Sequence, residues 1–312
     1  MRIAVLGTGA VGGYFGGRLA EAGESVTFIA RGRTLAALKS HGLRVSSMLG
    51  DFTVAPAMAT DDPASVGPVD LVLVGVKAWQ VPEVAQAARP LLGPQTLVVP
   101  LQNGIEAAEQ LQAVLGARPV LGGLCRILAW LDGPGQVRHA GLTPSIAIGE
   151  LEGGLSERVE RLRQALGVAR GVTVETPHDI RTALWGKLMF IAAVGGVGAA
   201  SRAPAGTFRS LPETRGLLAA VAGEVLALAR ASGAHLTDEA VVKILAAVDS
   251  LPETATSSMQ RDVMEGRPSE LDAQLGVVVR LAREKGLPAP ATGALYAALL
   301  PLEKKARGQL AF

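Results

Sequence analysis

The stretch Ile3-Ala4-Val5-Leu6-Gly7-Thr8-Gly9-Ala10-Val11-Gly12 decides the fold of the chain's first half. Four apolar residues closed by a glycine read as a short buried strand. They run straight into G-x-G-x-x-G, and residues 11–22 then carry helical spacing until Gly23 stops it. Strand, tight glycine turn and helix in that order form a seat for a dinucleotide. Gly7 permits the turn, Gly9 lets a pyrophosphate approach the backbone, and Gly12 lets the helix lie close to the strand. Thr8, Ala10 and Val11 complete the loop, whose unpaired N–H groups at the helix start favour an anion. The competing reading is a glycine-rich turn with a purely structural role.

Outward from this motif the alternation continues. Residues 25–30 form a second β-rich run, and 34–40 a short helix for which Thr34 is the expected N-cap. Residues 71–76, 97–99 and 120–124 are further buried strands, with helices near 81–92 and 105–115. Strands alternating with helices imply a parallel, doubly wound α/β sheet. Residues 127–149 hold short β-like pieces around a Gly-Pro-Gly turn at 133–135. From His178 onward the spacing is helical throughout, over 179–200, 213–232, 238–249, 271–285 and 291–306, with prolines between. The expected fold class is a Rossmann-type doubly wound domain over 1–176, followed by an all-α domain over 177–312.

Composition excludes several classes. Of 312 residues 49% are hydrophobic and 19% charged, which rules out a disordered chain. The 38 glycines follow no three-residue period, so they serve turns and close backbone approaches. Cys125 is the only cysteine, and His41, His139, His178 and His235 never fall at ligand spacing, so no metal site is expected. G-x-S-x-G is absent, which removes the common serine hydrolase arrangement. A net charge of +2 offers no basic face for nucleic acid. The apolar start is broken by Gly7, Gly9, Gly12, Gly13, Gly16 and Gly17, unlike a secretory signal. The other apolar stretch, 188–201, is short of the ~20 residues that span a bilayer. No membrane association and a cytoplasmic location are expected.

Four places carry chemistry. No acidic residue lies between Ser25 and Gly50, where an NAD site would hold the ribose 2′-OH; Arg31 and Arg33 stand there instead, with Lys39 beyond. A guanidinium suits a 2′-phosphate, so the expected cofactor is NADPH with Arg31 as the contact, against the alternative of a solvated surface arginine. Lys77 and Asn103 follow predicted strand ends, where such sheets bind ligands, and either could equally be a loop residue. Trp79 reads as packing. Lys187 stands among apolar residues, where it either snorkels to solvent or is held as a proton donor.

The ordered set GTGAVG at 7–12, IARG at 29–32, VKAW at 76–79, QNG at 102–104, LWGK at 184–187 and SSM at 257–259, followed by Glu270, resembles the ketopantoate reductase (2-dehydropantoate 2-reductase) family of pantothenate biosynthesis, over nearly the whole chain. The resemblance implies NADPH-dependent reduction of a small 2-keto acid. It gives Lys187 as the general acid and Asn103 as an asparagine of the substrate site, with Glu270 as the acid that positions substrate or lysine. It gives Ser258 as a substrate-binding hydroxyl, with Arg31 and Lys77 as cofactor contacts. Without it, Ser258 reads as part of a helix N-cap and Glu270 as a solvated face.

The chain departs from that pattern on one helical face. Asparagines are expected four and eight residues after the lysine, and another near 205; here stand Ile191, Gly195 and Ala205. The expected pocket is therefore more apolar, roomier at Gly195, and suited to a less hydroxylated or bulkier 2-keto acid. Two other readings remain open: an NADPH-binding sensor or scaffold without catalysis, and an imine, opine-type or 3-hydroxy-acid dehydrogenase. The helical domain has apolar faces enough for a homodimer.

Overall fold

A computed structural model describes residues 1–312. The chain forms two compact units, Met1–Gln102 with Glu106–Ile180, and Asn103–Ile105 with Arg181–Phe312.

The first unit runs β1 (Arg2–Leu6), α1 (Ala10–Glu21), β2 (Ser25–Ile29), α2 (Gly32–His41), β3 (Leu43–Ser47), β4 (Phe52–Val54), β5 (Met58–Thr60), β6 (Leu71–Val74), α3 (Val81–Ala87), β7 (Leu97–Pro100), α4 (Ala107–Leu115), β8 (Gly122–Gly133), β9 (Gln136–Gly149), α5 (Glu157–Leu166) and β10 (Thr173–Glu175). One sheet is entirely parallel, in the order β5-β2-β1-β6-β7. β1 and β6 are buried almost throughout, as strands covered on both faces must be. β1 therefore sits mid-sheet between β2 and β6, and the chain leaves its carboxyl end through the glycine loop. This is the Rossmann-type arrangement expected from the sequence.

Three local expectations are corrected. The α2 N-cap is Arg31, in extended backbone, so the helix begins before Thr34 and Thr34 does not cap it. The buried strand expected at 120–124 begins at Gly122 and runs on to Gly133, and 127–149 are not short pieces. Instead β8 and β9 are strands of 12 and 14 residues, joined antiparallel. Pairing irregularities between Arg126 and Leu128 and between Leu131 and Gly133 break the alternation that would have marked β8 as one strand. β9 also pairs in parallel with β3 and β10, which builds a second, mixed sheet with β4 at its edge.

A charge lies inside this unit. Arg18 on α1 is 1% exposed. Its guanidinium donates to Glu21, to Ser47 Oγ at 3.2 Å and to the Gly50 carbonyl at 3.0 Å, and lies 4.3 Å over the Phe52 ring. A buried cation is tolerable only when paired and hydrogen-bonded in this way.

The second unit is helical: α6 (Ile180–Ser201), α7 (Ala205–Ser210), α8 (Pro212–Ala231), α9 (Glu239–Asp249), α10 (Ser258–Met264), a π-turn over Asp272–Gly276, α11 (Val277–Glu284) and α12 (Pro290–Ala306). The apolar stretch predicted as 14 residues is part of this 22-residue α6, which by length and composition alone could cross a bilayer. Its apolar window is 67% buried inside the protein, around Leu188, Met189, Ala192, Ala193 and Val197. Small residues let neighbours close in: a Cβ on Gly196 would lie 3.1 Å from Leu295 and 3.2 Å from Leu275.

Candidate functional site

The first unit opens α1 through the glycine loop. Gly7 has φ +92°, and a Cβ there would fall 2.5 Å from Val76 Cγ1, so only glycine fits where β1 and β6 end side by side. A Cβ on Gly12 would meet the Gly7 carbonyl oxygen at 2.1 Å, so α1 lies directly on the loop. Gly9 differs. Its added Cβ would meet only the Gly75 carbonyl, at 3.9 Å, so nothing in the fold demands glycine there. Gly9 is the N-cap of α1; it offers no side-chain cap, and the first turn holds no acid. The Ala10, Val11 and Gly12 amides thus open a helix whose positive end no side chain neutralises.

Two buried oxygens beside the seat have no hydrogen-bond partner: Thr8 Oγ1 and Gln102 Oε1. Gln102 Nε2 donates to the Val74 and Val76 carbonyls at 2.8 and 3.0 Å, which fixes the amide at the carboxyl end of β6. Buried oxygens rarely stay unpaired in a finished site. An uncapped helix start, an open glycine and an orphaned hydroxyl together suit a bound pyrophosphate.

Arg31 follows β2, 68% exposed, with Nη1 2.7 Å from Glu83 Oε1. Lys77 begins the turn after β6, and its ammonium lies 5.9 Å from the Trp79 ring centroid. Trp79 is itself 40% exposed and is not part of the buried core.

The second unit gathers the acid and the amide. Asn103 Nδ2 donates to Glu270 Oε2 at 2.8 Å. Glu270 is 6% exposed, not a solvated helical face. Gly104, at φ +100°, presses on Ala273 so closely that a Cβ would lie 2.8 Å from its carbonyl oxygen. Residues 103–105 are therefore seated on the turn that follows Glu270. Lys187 is half-buried on α6 between Trp185 and the buried pair Leu188 and Met189, and Ile191 is half-buried one turn on.

Gly195 overturns an expectation. It is buried, and the space beside it is filled: a Cβ would meet Met259 Cε at 3.0 Å, Gln274 Oε1 at 3.1 Å and Ser257 Oγ at 3.7 Å. The pocket is not roomier there. Ala205 is wholly buried in the core as the first residue of α7. Ser258 is exposed at the first position of α10, while its neighbour Ser257 is the N-cap, accepting from the Gln260 amide at 3.0 Å.

Sequence reasoning missed Glu83, Gln102, Ser257 and Gln274. Gln102 stands inside the QNG motif and could have been flagged there. Glu83 meets Arg31 only through the fold.

Comparison with known proteins identifies the lineage. Residues 3–153 match the family described as ketopantoate reductase PanE/ApbA, and residues 179–303 match its C-terminal counterpart. A 2-dehydropantoate 2-reductase of Mycobacterium tuberculosis (strain ATCC 25618 / H37Rv) is 34% identical over 302 residues, 94% of this chain and 95% of that one. An uncharacterized oxidoreductase of Bacillus subtilis (strain 168) is 30% identical over 299 residues, 96% of this chain and 98% of that one. The crystal structure of 2-dehydropantoate 2-reductase from Geobacter metallireducens GS-15 superposes with a TM-score of 0.90 at 32% identity, covering 96% of this chain and 99% of that one. The chain belongs to the ketopantoate reductase PanE/ApbA family.

Proposed function

We propose that the protein is a cytoplasmic enzyme that reduces a 2-keto acid to the 2-hydroxy acid with NADPH, ketopantoate being the first substrate to try. The observation that carries this reading is the 2.8 Å bond from Asn103 Nδ2 to the buried Glu270 carboxylate. An amide fixed on a buried acid gives that acid a set direction, as an acceptor for a substrate hydroxyl or for an ammonium group. Arg31 and the absence of any acid over residues 25–50 support the 2′-phosphorylated cofactor. Such a cofactor would rest its pyrophosphate on Gly9, Ala10, Val11 and Thr8 Oγ1, its 2′-phosphate on Arg31, and would draw on Lys77.

When bound, the nicotinamide supplies the hydride. The chain's own part is to hold the keto acid and to protonate it. Lys187 Nζ donates to the keto oxygen, stabilises the negative charge that grows there and delivers the proton. Glu270, held by Asn103, fixes the direction of its partner. In this reading Ser258 Oγ donates to the substrate.

The test is NADPH oxidation by the purified protein with ketopantoate, against a blank without substrate, in wild type and Lys187→Ala. Loss of a positioned general acid lowers turnover by about 100-fold or more. The NADPH dissociation constant should stay within about twofold. An equal loss of turnover and cofactor affinity would contradict the role of Lys187.

A further inference from the structure

The residue before Glu270 is gripped at every polar atom. Ser269 is 1% exposed. Its N–H is shared between the two Glu303 carboxylate oxygens at 3.1 and 2.9 Å, and its hydroxyl donates to Oε2 of the same carboxylate at 2.6 Å. Its carbonyl accepts from Arg307 Nη2 at 3.0 Å, and its Oγ accepts from the Leu271 N–H at 3.3 Å. Arg307 Nε also donates to Glu303 Oε1 at 2.6 Å, which balances the charge of the acid. Peptide groups are planar. The Arg307 bond therefore holds the plane that enters Glu270, and the Leu271 bond holds the plane that leaves it. With both planes held, the direction in which the Glu270 side chain departs is set.

An acid is not what packing asks for at position 303. The buried stripe of α12 is Thr292, Leu295, Leu299 and Glu303, so a carboxylate stands where amphipathic spacing calls for another apolar residue. Glu303 is 6% exposed. Burying a carboxylate is costly, and exchanging a buried ion pair for packed apolar residues is often neutral or stabilising. A pair kept at such a position is better explained by what it orients than by what it stabilises. The other end of α12 supplies a control. There the Glu224 carboxylate of α8 accepts from the Ala291 N–H at 2.7 Å, the Thr292 N–H at 2.8 Å and Thr292 Oγ1 at 2.6 Å. The geometry is the same, an acid taking the N–H and O–H of one residue. This clamp lies about 16 Å along the helix from Glu303 and holds no neighbour of Glu270 in the chain.

We propose that Glu303 is a positioning residue for the reduction: through Ser269 it fixes the backbone of Glu270, while Asn103 fixes the side chain with its 2.8 Å bond. This rests on the reduction proposed above. Neither hold suffices alone, because with the backbone loose the Asn103 amide can follow the carboxylate as it moves. A carboxylate held at both ends faces its partner in one direction. A misplacement of about 1 Å in such a group can cost about 100-fold in rate.

The experiment measures kcat with ketopantoate, the NADPH dissociation constant and the unfolding midpoint in wild type, Ser269→Ala, Glu303→Gln, Thr292→Val and Glu270→Gln. Ser269→Ala and Glu303→Gln should each lower kcat by about fivefold or more, with NADPH affinity within about twofold. Thr292→Val removes the matching hydroxyl from the Glu224 clamp. It should lower the unfolding midpoint as Ser269→Ala does and leave kcat within about twofold. In the Glu270→Gln background, Ser269→Ala should cost less than about twofold more, because residues that act as a unit are not additive. Ser269→Ala with wild-type kcat, Thr292→Val with an equal loss of kcat, or losses that multiply in the double variant each overturn the proposal. Should Ser269→Ala fail to fold, Glu303→Gln carries the same tests. Glu270→Gln with wild-type turnover removes Glu270 from the reaction and overturns this proposal, while the role of Lys187 stands. Wild type that reduces no 2-keto acid refutes the reductase reading itself, and this proposal with it.

Discussion

Replacing Gly9 and Gly12 singly by alanine separates a glycine kept for a ligand from one kept for the fold. Gly9 has φ −81° and ψ −163°, backbone that alanine adopts freely, and its new methyl would touch only the Gly75 carbonyl at 3.9 Å. Alanine is the poorer N-cap by up to about 1 kcal/mol. It also restrains the unfolded chain, which returns about 0.4–1 kcal/mol. The two nearly cancel, so the unfolding midpoint should move by no more than about 2 °C. Gly12→Ala puts a methyl 2.1 Å from the Gly7 carbonyl oxygen and 3.0 Å from Val5 Cγ1. The first obstacle is backbone and cannot swing away. Overpacking of this kind costs about 1–3 kcal/mol or more, a midpoint drop of roughly 3–10 °C. Cofactor binding should rank the variants differently. The Gly9→Ala methyl stands where a pyrophosphate oxygen would meet the amides of α1. Losing one charge-assisted hydrogen bond, about 1.5–3 kcal/mol, weakens NADPH by roughly 10- to 150-fold. Thermal unfolding and calorimetric titration with NADPH read the two quantities. Gly9→Ala binding NADPH as wild type does, or unfolding as early as Gly12→Ala, would refute the assignment of the open side of the loop to the cofactor.

Glu83 competes for the guanidinium that a 2′-phosphate would use, at 2.7 Å from Arg31. Pairs this exposed are worth about 1 kcal/mol at most, so Glu83→Gln should tighten NADPH by no more than about fivefold and leave NADH unchanged, while Arg31→Ala should weaken NADPH selectively. Equal effects on both cofactors in a side-by-side titration would remove Arg31 from the 2′-phosphate. At the end of β9, Glu150 accepts from Arg158 Nε at 2.7 Å and from Ser156 Oγ at 2.6 Å. The Arg158 hydrogen bonds hold its carboxyl below the ordinary value of 4.5, with burial opposing and Ser156 assisting. A folded-state value below the unfolded one stabilises the protein above about pH 4.5 and loses that contribution as pH falls toward the folded value. Glu150→Gln should therefore unfold earlier than wild type at neutral pH, and the gap should close in acid. A gap that stays constant on going from pH 7 to 3 would show that the pair contributes through packing alone.

How much was legible depended on how local the determining contacts are. β1, the glycine loop and α1 are one continuous stretch, and the constraints on Gly12 come from Gly7 and Val5 within it, whereas Gly7 is held by Val76 at the end of β6. The helices of the second unit were legible for the same reason, since apolar spacing and prolines bound each one. β3 and β4 were not. They are short, and what holds β3 is its parallel pairing with β9, from Arg44 opposite Gln136 to Ser47 opposite His139. Arg18 interrupts an apolar stretch of α1, and its partners, Ser47, Gly50 and Phe52, lie on the β3–β4 hairpin. A buried charge is recognisable only once its acceptors have been brought to it.

The same limit explains the misreading at Gly195. Along α6 the spacing correctly placed Lys187, Ile191 and Gly195 on one face, and the missing side chain at 195 read as empty space. Empty space beside a glycine in a packed interior is rare, because neighbours move in until contacts are made. Here Met259 and the Gln274 amide did so, from elements whose register relative to α6 no pattern in the chain encodes. An amide removed from one helix is visible in sequence; an amide supplied from the facing element is not. The alternative of a sensor or scaffold without catalysis draws its support from the absent asparagines. Ala205 is buried in the core and a side-chain amide stands beside Gly195, so that support narrows to Ile191.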